Sequence, residues 1–134
     1  MRLIKAIRKF KRLEKIEKKL MLNIYIDDNG PMLMQIFHVK LAIEWGWDIS
    51  KKHQDGYLIV VDFNKNKINN ELNFERFTKS QLFASFEKYE FIKRDSYFYH
   101  IHPSIKAKNM QSIIYQILTD VYDYQDKPFS FALR

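Results

Sequence analysis

The chain of 134 residues carries 23 Lys and Arg against 16 Asp and Glu, a net charge of +7, with 46% apolar and 16% aromatic side chains. That is the size and apolar content of one domain with a continuous core, spanning residues 1–134. The lack of cysteine excludes disulfides, thiolate metal ligands and cysteine nucleophiles. Three Gly and three Pro leave little material for flexible linkers.

The charge is concentrated at the start. Nine of the first twenty residues are Lys or Arg, against Glu14 and Glu17, and the rest of the chain holds fourteen of each sign. A helical wheel over residues 2–20 gathers Leu3, Ala6, Ile7, Phe10, Leu13 and Leu20 on one side and the cations on the other. This predicts a basic amphipathic helix ahead of an α+β body at 21–134. Glu17 falls in the apolar sector and Glu14 near its edge, so that sector suits packing against protein better than immersion in lipid. Charges continue to Lys19 with no apolar run behind them, unlike a secretory signal, and the segment is Lys-rich and free of Ser, unlike a mitochondrial presequence.

Met21 to Asp27 alternates as a strand, and residues 28–31 form a turn. Pro31 to Trp45 has helical spacing through Leu33, Ile36, Phe37, Lys40 and Leu41, with Gly46 placed for a left-handed cap. A strand remains open there, because Val39, Leu41, Ile43, Trp45 and Trp47 also alternate. After a polar turn at Lys51 to Gly56, Tyr57 to Phe63 reads as a buried strand. Asn64 to Asn70 is expected to be a loop. Thr78 to Gln81 matches a capping box opening a short helix with Leu82, Phe83 and Phe86 buried.

Phe91 and Ile92, a turn at Lys93 to Ser96, and Tyr97 to His102 suggest a hairpin. Ile105 to Tyr122 is the most regular helix, with Met110, Ile113, Ile114, Ile117, Leu118 and Val121 on one face. Phe129 to Leu133 is a terminal strand. The expected architecture is α+β, with helices packed on a mainly antiparallel sheet of about five strands.

His100 and His102 share a strand face, the spacing of a two-histidine metal pair, with His38, His53, Asp62 and Asp120 as conceivable third ligands. The expectation is a structural role, and neither a metal site nor a cofactor is assigned. Tyr97 and Tyr99 occupy the opposite face and are suited to stacking or contact, with Lys93 and Arg94 nearby. Asp120, Asp123 and Asp126 lack the glycine and terminal glutamate of a calcium loop and read as a solvated helix end. Trp45 is expected in the core, Trp47 is a candidate anchor, and Phe74, Phe77, Phe83 and Phe86 read as core.

No phosphate loop, nucleophile elbow or zinc-protease pair is present, so no catalytic residue is assigned and an enzyme is not expected. The element order of the last eighty residues, with Ile117 to Tyr122 followed by Lys127 to Leu133, loosely resembles the α/β domains of type III secretion chaperones and some small bacterial immunity proteins. A compact domain with no catalytic set, no cysteine, abundant aromatic residues and one asymmetric charge patch leads to the expectation of a non-enzymatic cytoplasmic protein-binding domain, in its most concrete form an immunity protein that neutralises a toxin domain by direct binding. The expected contact residues are Arg8, Arg12, Lys15, Lys19, Trp47, Tyr97 and Tyr99, facing an acidic partner surface. Nucleic-acid binding through the basic helix is the alternative.

Overall fold

A computed structural model of the chain describes residues 2–25, 32–63, 70–91, 94–123 and 130–134. In chain order the elements are α1 (Leu3–Leu13), β1 (Met21–Tyr25), β2 (Met32–His38), α2 (Val39–Glu44), β3 (Tyr57–Asp62), α3 (Asn70–Lys79), β4 (Glu87–Phe91), β5 (Arg94–Ile101), α4 (Ala107–Asp120) and β6 (Ser130–Leu133). Short 3₁₀ turns lie at Lys51–His53 and Phe83–Ser85. The fold is α+β. Among the described residues its sheet is antiparallel at every pairing and has six strands, in the order β4-β5-β3-β2-β1-β6, rather than about five.

The additional strand is β2, in the stretch 31–45 whose helical spacing left a strand open; the stretch holds both, a strand and then a short helix. It pairs with β1 on one side and β3 on the other, with Ile36 opposite both Leu22 and Ile59. Met34 and Ile36 point to one core, while Phe37 points to the other. A strand buried on both faces carries apolar residues without a clean period of two, so its pattern is readily confused with a helix. Helix α2 begins only at Val39. Its end matches the expected cap: Gly46 has φ +89°, its N–H bonds the Ile43 carbonyl and the Trp47 N–H bonds the Ala42 carbonyl. These two bonds form a Schellman motif.

The sheet separates two apolar layers. On the helix side, Leu3, Ala6, Ile7 and Phe10 of α1 and Met110, Ile114, Ile117 and Leu118 of α4 close over Leu22, Ile24, Met34, Ile36, Ile59 and Val61. On the other side, Val39, Leu41, Ala42 and Ile49 cover Phe37, Leu58, Val60 and Phe98. The α1 spacing of i, i+3, i+4 and i+7 is what places its four buried residues in line.

α1 stops at Leu13, earlier than the expected residue 20. The Ile16 and Glu17 amides both bond the Leu13 carbonyl, turning the chain so that Glu17 lies exposed instead of on the buried side. Burying that carboxylate without a partner would cost several kcal/mol, about as much as a few buried aliphatic side chains contribute.

Thr78 to Gln81 does not open a helix, contrary to the expected capping box. Helix α3 precedes it: Asn70, expected in the loop, starts that helix, and residues 64–69 of the expected loop lie outside the described residues. Thr78 and Ser80 use their hydroxyls to donate to the Glu75 and Phe77 carbonyls, so they finish a helix and do not begin one. Phe77 is fully buried among Phe63, Phe83, Phe86 and Tyr97, with ring centroids 5.0–5.2 Å away. Phe86 is partly buried against this core, whereas Phe74 and Phe83 are each 37% exposed and form its rim.

The hairpin is present, with longer strands than expected, and Arg94 to Ser96 belong to β5 rather than to the turn. Residues 92 and 93, the expected turn at 28–31 and Asp126 lie outside the described residues.

Candidate functional site

Antiparallel pairing brings five strand ends to one pole of the sheet. Met21 lies opposite Phe37, His38 opposite Tyr57, Tyr57 opposite Ile101, and Leu22 opposite Leu133. The connections at this pole are residues 14–20, the α2 segment running on to Gly56, and residues 102–106. They contain most of the polar chemistry of the described chain.

At the centre lies a buried polar network. Glu14, 3% exposed, follows the last turn of α1 and accepts the Tyr57 hydroxyl on Oε1 at 3.0 Å. Its Oε2 has no hydrogen bond, and the Lys18 ammonium stands 3.7 Å away as an ion pair. Burial, and then the Glu14 carboxylate, push the Tyr57 phenol well above its ordinary range.

His38, 4% exposed, meets Tyr57 edge to face at 5.9 Å. Its Nδ1 accepts the Lys40 amide at 3.1 Å and so caps α2. The other nitrogen, Nε2, therefore holds the proton and donates to Asp55 Oδ1 at 3.0 Å. Desolvation lowers the His38 pKa despite the opposing pull of Glu14. The Asp55 pKa is lowered, chiefly by the Gly56 amide, which donates to its carboxylate at 2.8 Å. Both ring nitrogens of His38 are committed to structure, which leaves no lone pair for proton transfer to a substrate.

Gly56 makes this arrangement possible. It has φ +104°, and a Cβ there would collide with the Ile101 carbonyl. The close approach lets the Asp55 carbonyl accept His100 Nε2 at 2.6 Å. The His100 ring stacks on His53 at 4.1 Å with planes 8° apart, and His53 Nδ1 lies 3.9 Å from Glu87. His102 lies just past the end of β5 and turns to Ser104 through Nδ1. The two histidines of the sequence pair thus serve different partners. Among the described residues, no group of three or more His, Asp or Glu is arranged to hold a metal ion.

The residues expected to touch a partner are distributed unevenly. Arg8, Arg12, Lys15 and Lys19 are exposed. Lys19 lies 3.6 Å from Glu44, tying the segment after α1 to α2. Trp47 is half-buried beside Phe37, Trp45 and Phe98, at 6.0–6.4 Å between ring centroids. Tyr97, 7% exposed, belongs to the aromatic core around Phe77, and Tyr99 lies partly buried with its ring 5.5 Å from Phe86. The two tyrosines therefore do not form an open stacking platform.

Trp45 reverses the expectation of burial. It is 49% exposed, held edge-on by Phe37 at 5.3 Å, with exposed Ile43 two residues before it. As the C-cap residue of α2 it sits where the helix turns away from the sheet. Asp120 is exposed, and Asp123 faces Arg76 at 3.5 Å, so this acidic helix end meets α3.

Sequence reasoning did not find the Glu14, Tyr57 and His38 network. The one usable signal was an acid near the edge of an apolar helical sector. Among the described residues no helix is long and apolar enough to cross a membrane. No protein-family model, curated protein or solved structure matches the chain.

Proposed function

We propose that the chain is a non-enzymatic protein-binding domain that engages an acidic partner surface through the solvent face of α1, in its most concrete form a cytoplasmic immunity protein that occludes a toxin domain. The observation that carries this reading is the pair of faces on one helix. Leu3, Ala6, Ile7 and Phe10 are locked in the core, while Arg2, Lys5, Arg8, Lys9 and Arg12 are exposed. Among the described residues none of these five has a carboxylate within 4.0 Å. A rigid cationic face of this kind raises the association rate with an acidic partner and loses little entropy on binding. A nuclease toxin, being basic, is a poor match for this charge, so the partner is a toxin of another class. The double use of His38 as cap and donor supports the non-enzymatic part of the reading.

Nucleic acid is the second reading, favoured by the same free cations. The test is affinity capture from the native lysate with and without nuclease, beside Arg8→Glu/Arg12→Glu. Deleting α1 would remove four core side chains, so charge reversal is the cleaner control. The expected result is one stoichiometric protein that survives nuclease and is lost on charge reversal. Recovery of nucleic acid alone, released by nuclease or by salt, would sink the protein-binding reading.

A further inference from the structure

Resting on the protein-binding reading of α1, we infer that the partner's acidic element is a helix laid along α1 and α4 together, its carboxylates over the α1 cations and Lys108 and its uncharged flank over Ser112 and Tyr115. The two helices pack against each other on one face of the sheet, and each buries one side in the same core. Their outer sides therefore look the same way. α1 runs towards the pole where α4 begins, and the Lys11 ammonium donates to the Ile105 carbonyl just ahead of α4, so the pair is antiparallel. At a rise of about 1.5 Å per residue, that contact sets Arg8 roughly level with Lys108, Lys5 with Ser112 and Arg2 with Tyr115.

This two-helix platform is free of acids. Residues 2–13 and 102–119 contain no Asp or Glu. Glu14 at the end of α1 is buried, exposed Glu17 lies on the turn beyond it, and the first acid of α4 is Asp120, about 10 Å past the start of α1 by the same rise. Exposed Lys5, Arg8, Lys9 and Arg12 form a row down the outer side of α1, with exposed Lys108 beside it. Among the described residues none of the five has a carboxylate within 4.0 Å. Beyond Lys108 the outer side of α4 continues as Asn109, Ser112, Tyr115 and Thr119, all exposed and uncharged.

That asymmetry selects the occupant. A nucleic-acid duplex presents two rows of phosphate and would set one of them on the neutral half. A single strand is held by successive stacking rings, and Tyr115 is the one exposed ring on the two helices among the described residues. A helix with one acidic stripe matches both halves. Its carboxylates three and four residues apart rise by about 4.5–6 Å, the repeat of Lys5, Arg8, Lys9 and Arg12 themselves, whereas same-face residues of a strand rise by about 6.7 Å. Neighbouring helices about 8–10 Å apart also leave a groove along their seam in which a third helix can lie.

The experiment is zero-length carbodiimide crosslinking of the complex recovered in the capture above, read by mass spectrometry, together with the affinity of the purified partner for charge variants. Lys5, Lys9 and Lys108 are expected to join carboxylates of one partner segment at three- and four-residue spacing. Lys108→Glu and Ser112→Glu are each expected to weaken binding about tenfold, because an acid enters a face that meets acids. Both positions are exposed, and a Glu in the first turn of α4 favours the helix, so the fold is expected to stand, as circular dichroism would check. Lys51→Glu, on the short turn outside this platform, is expected to change binding by about twofold or less.

Binding that Lys108→Glu leaves unchanged overturns the inference, as do crosslinks to carboxylates scattered without helical spacing. An equal loss in Lys51→Glu, the mark of a bulk charge effect, overturns it too. In each of these cases loss of binding in Arg8→Glu/Arg12→Glu would leave the protein-binding reading standing. Binding that survives that double reversal sinks the reading itself, and recovery of nucleic acid alone sinks both.

Discussion

The two faces of the sheet are finished differently. On one, α1, α4 and the Phe77 cluster close over an apolar layer in which Ile7, Phe10, Phe77 and Ile114 are fully buried. On the other, a six-residue helix and two tryptophans cover Phe37, Leu58, Val60 and Phe98 and leave Trp45 half in water. The thick layer carries stability. The thin one leaves Ile43 and Trp45 exposed.

The comparison breaks most directly through its aromatic residues. Phe77→Ala is expected to cost about 3–5 kcal/mol, as a large cavity opens among four rings. Trp45→Ala should cost about 1 kcal/mol, since half of its surface is already solvated. Chemical denaturation of the two variants measures both, and equal losses would erase the distinction between the faces.

Gly56→Ala is the next largest effect. A side chain at φ +104° costs about 1–3 kcal/mol in backbone strain alone, and the collision with the Ile101 carbonyl adds to it. Thermal unfolding should show the drop, while Gly46→Ala, with nothing near its Cβ, loses only the strain.

Tyr57→Phe leaves the Glu14 carboxylate buried without its hydrogen-bond donor and is expected to cost about 1–3 kcal/mol. In a Glu14→Ala background the same change should cost much less. A double-mutant cycle that found the two losses additive would show that the bond contributes nothing.

The smallest effect is a pH dependence centred on His38, faced by Glu14, Lys18 and Asp55. Its folded pKa lies below the unfolded value of 6.5. The unfolded chain therefore takes up a proton that the folded chain refuses, and stability falls as pH drops from 6.5 towards the folded value. His38→Asn keeps a capping oxygen for the Lys40 amide and removes the titration. Denaturation midpoints across this range should decline for the native chain and flatten in the variant.

These contrasts also account for what the sequence made legible. Helix α4 and strand β3 were readable because each has one dominant pattern, a three-and-four repeat in the first and an unbroken apolar run in the second. β2 was not, since it faces two cores and is paired on both edges, so its apolar residues show no clean period of two. α3 was hidden because Phe77 is its one side chain described as buried, too few for a helical period. In the site, the exposure of Arg8 and Arg12 followed from the helical wheel, whereas Lys15 and Lys19 are exposed on the turn segment beyond the helix end. Tyr97 and Trp45 exchanged their expected fates: strand pairing set Tyr97 against Phe77, and the Schellman turn carried Trp45 outward. His38 gave no signal, because histidine is not among the residues preferred at a helix N-cap.

Strand β6 has a consequence for how the chain is made. It closes the sheet against β1, with Leu22 opposite Leu133 and Met21 exchanging backbone hydrogen bonds with Arg134. During synthesis at about 5–20 residues per second, β1 emerges early and its outer edge waits several seconds for a partner. Until β6 is made, the nascent chain thus presents an open strand edge to chaperones, and removal of residues 130–134 would make that exposure permanent.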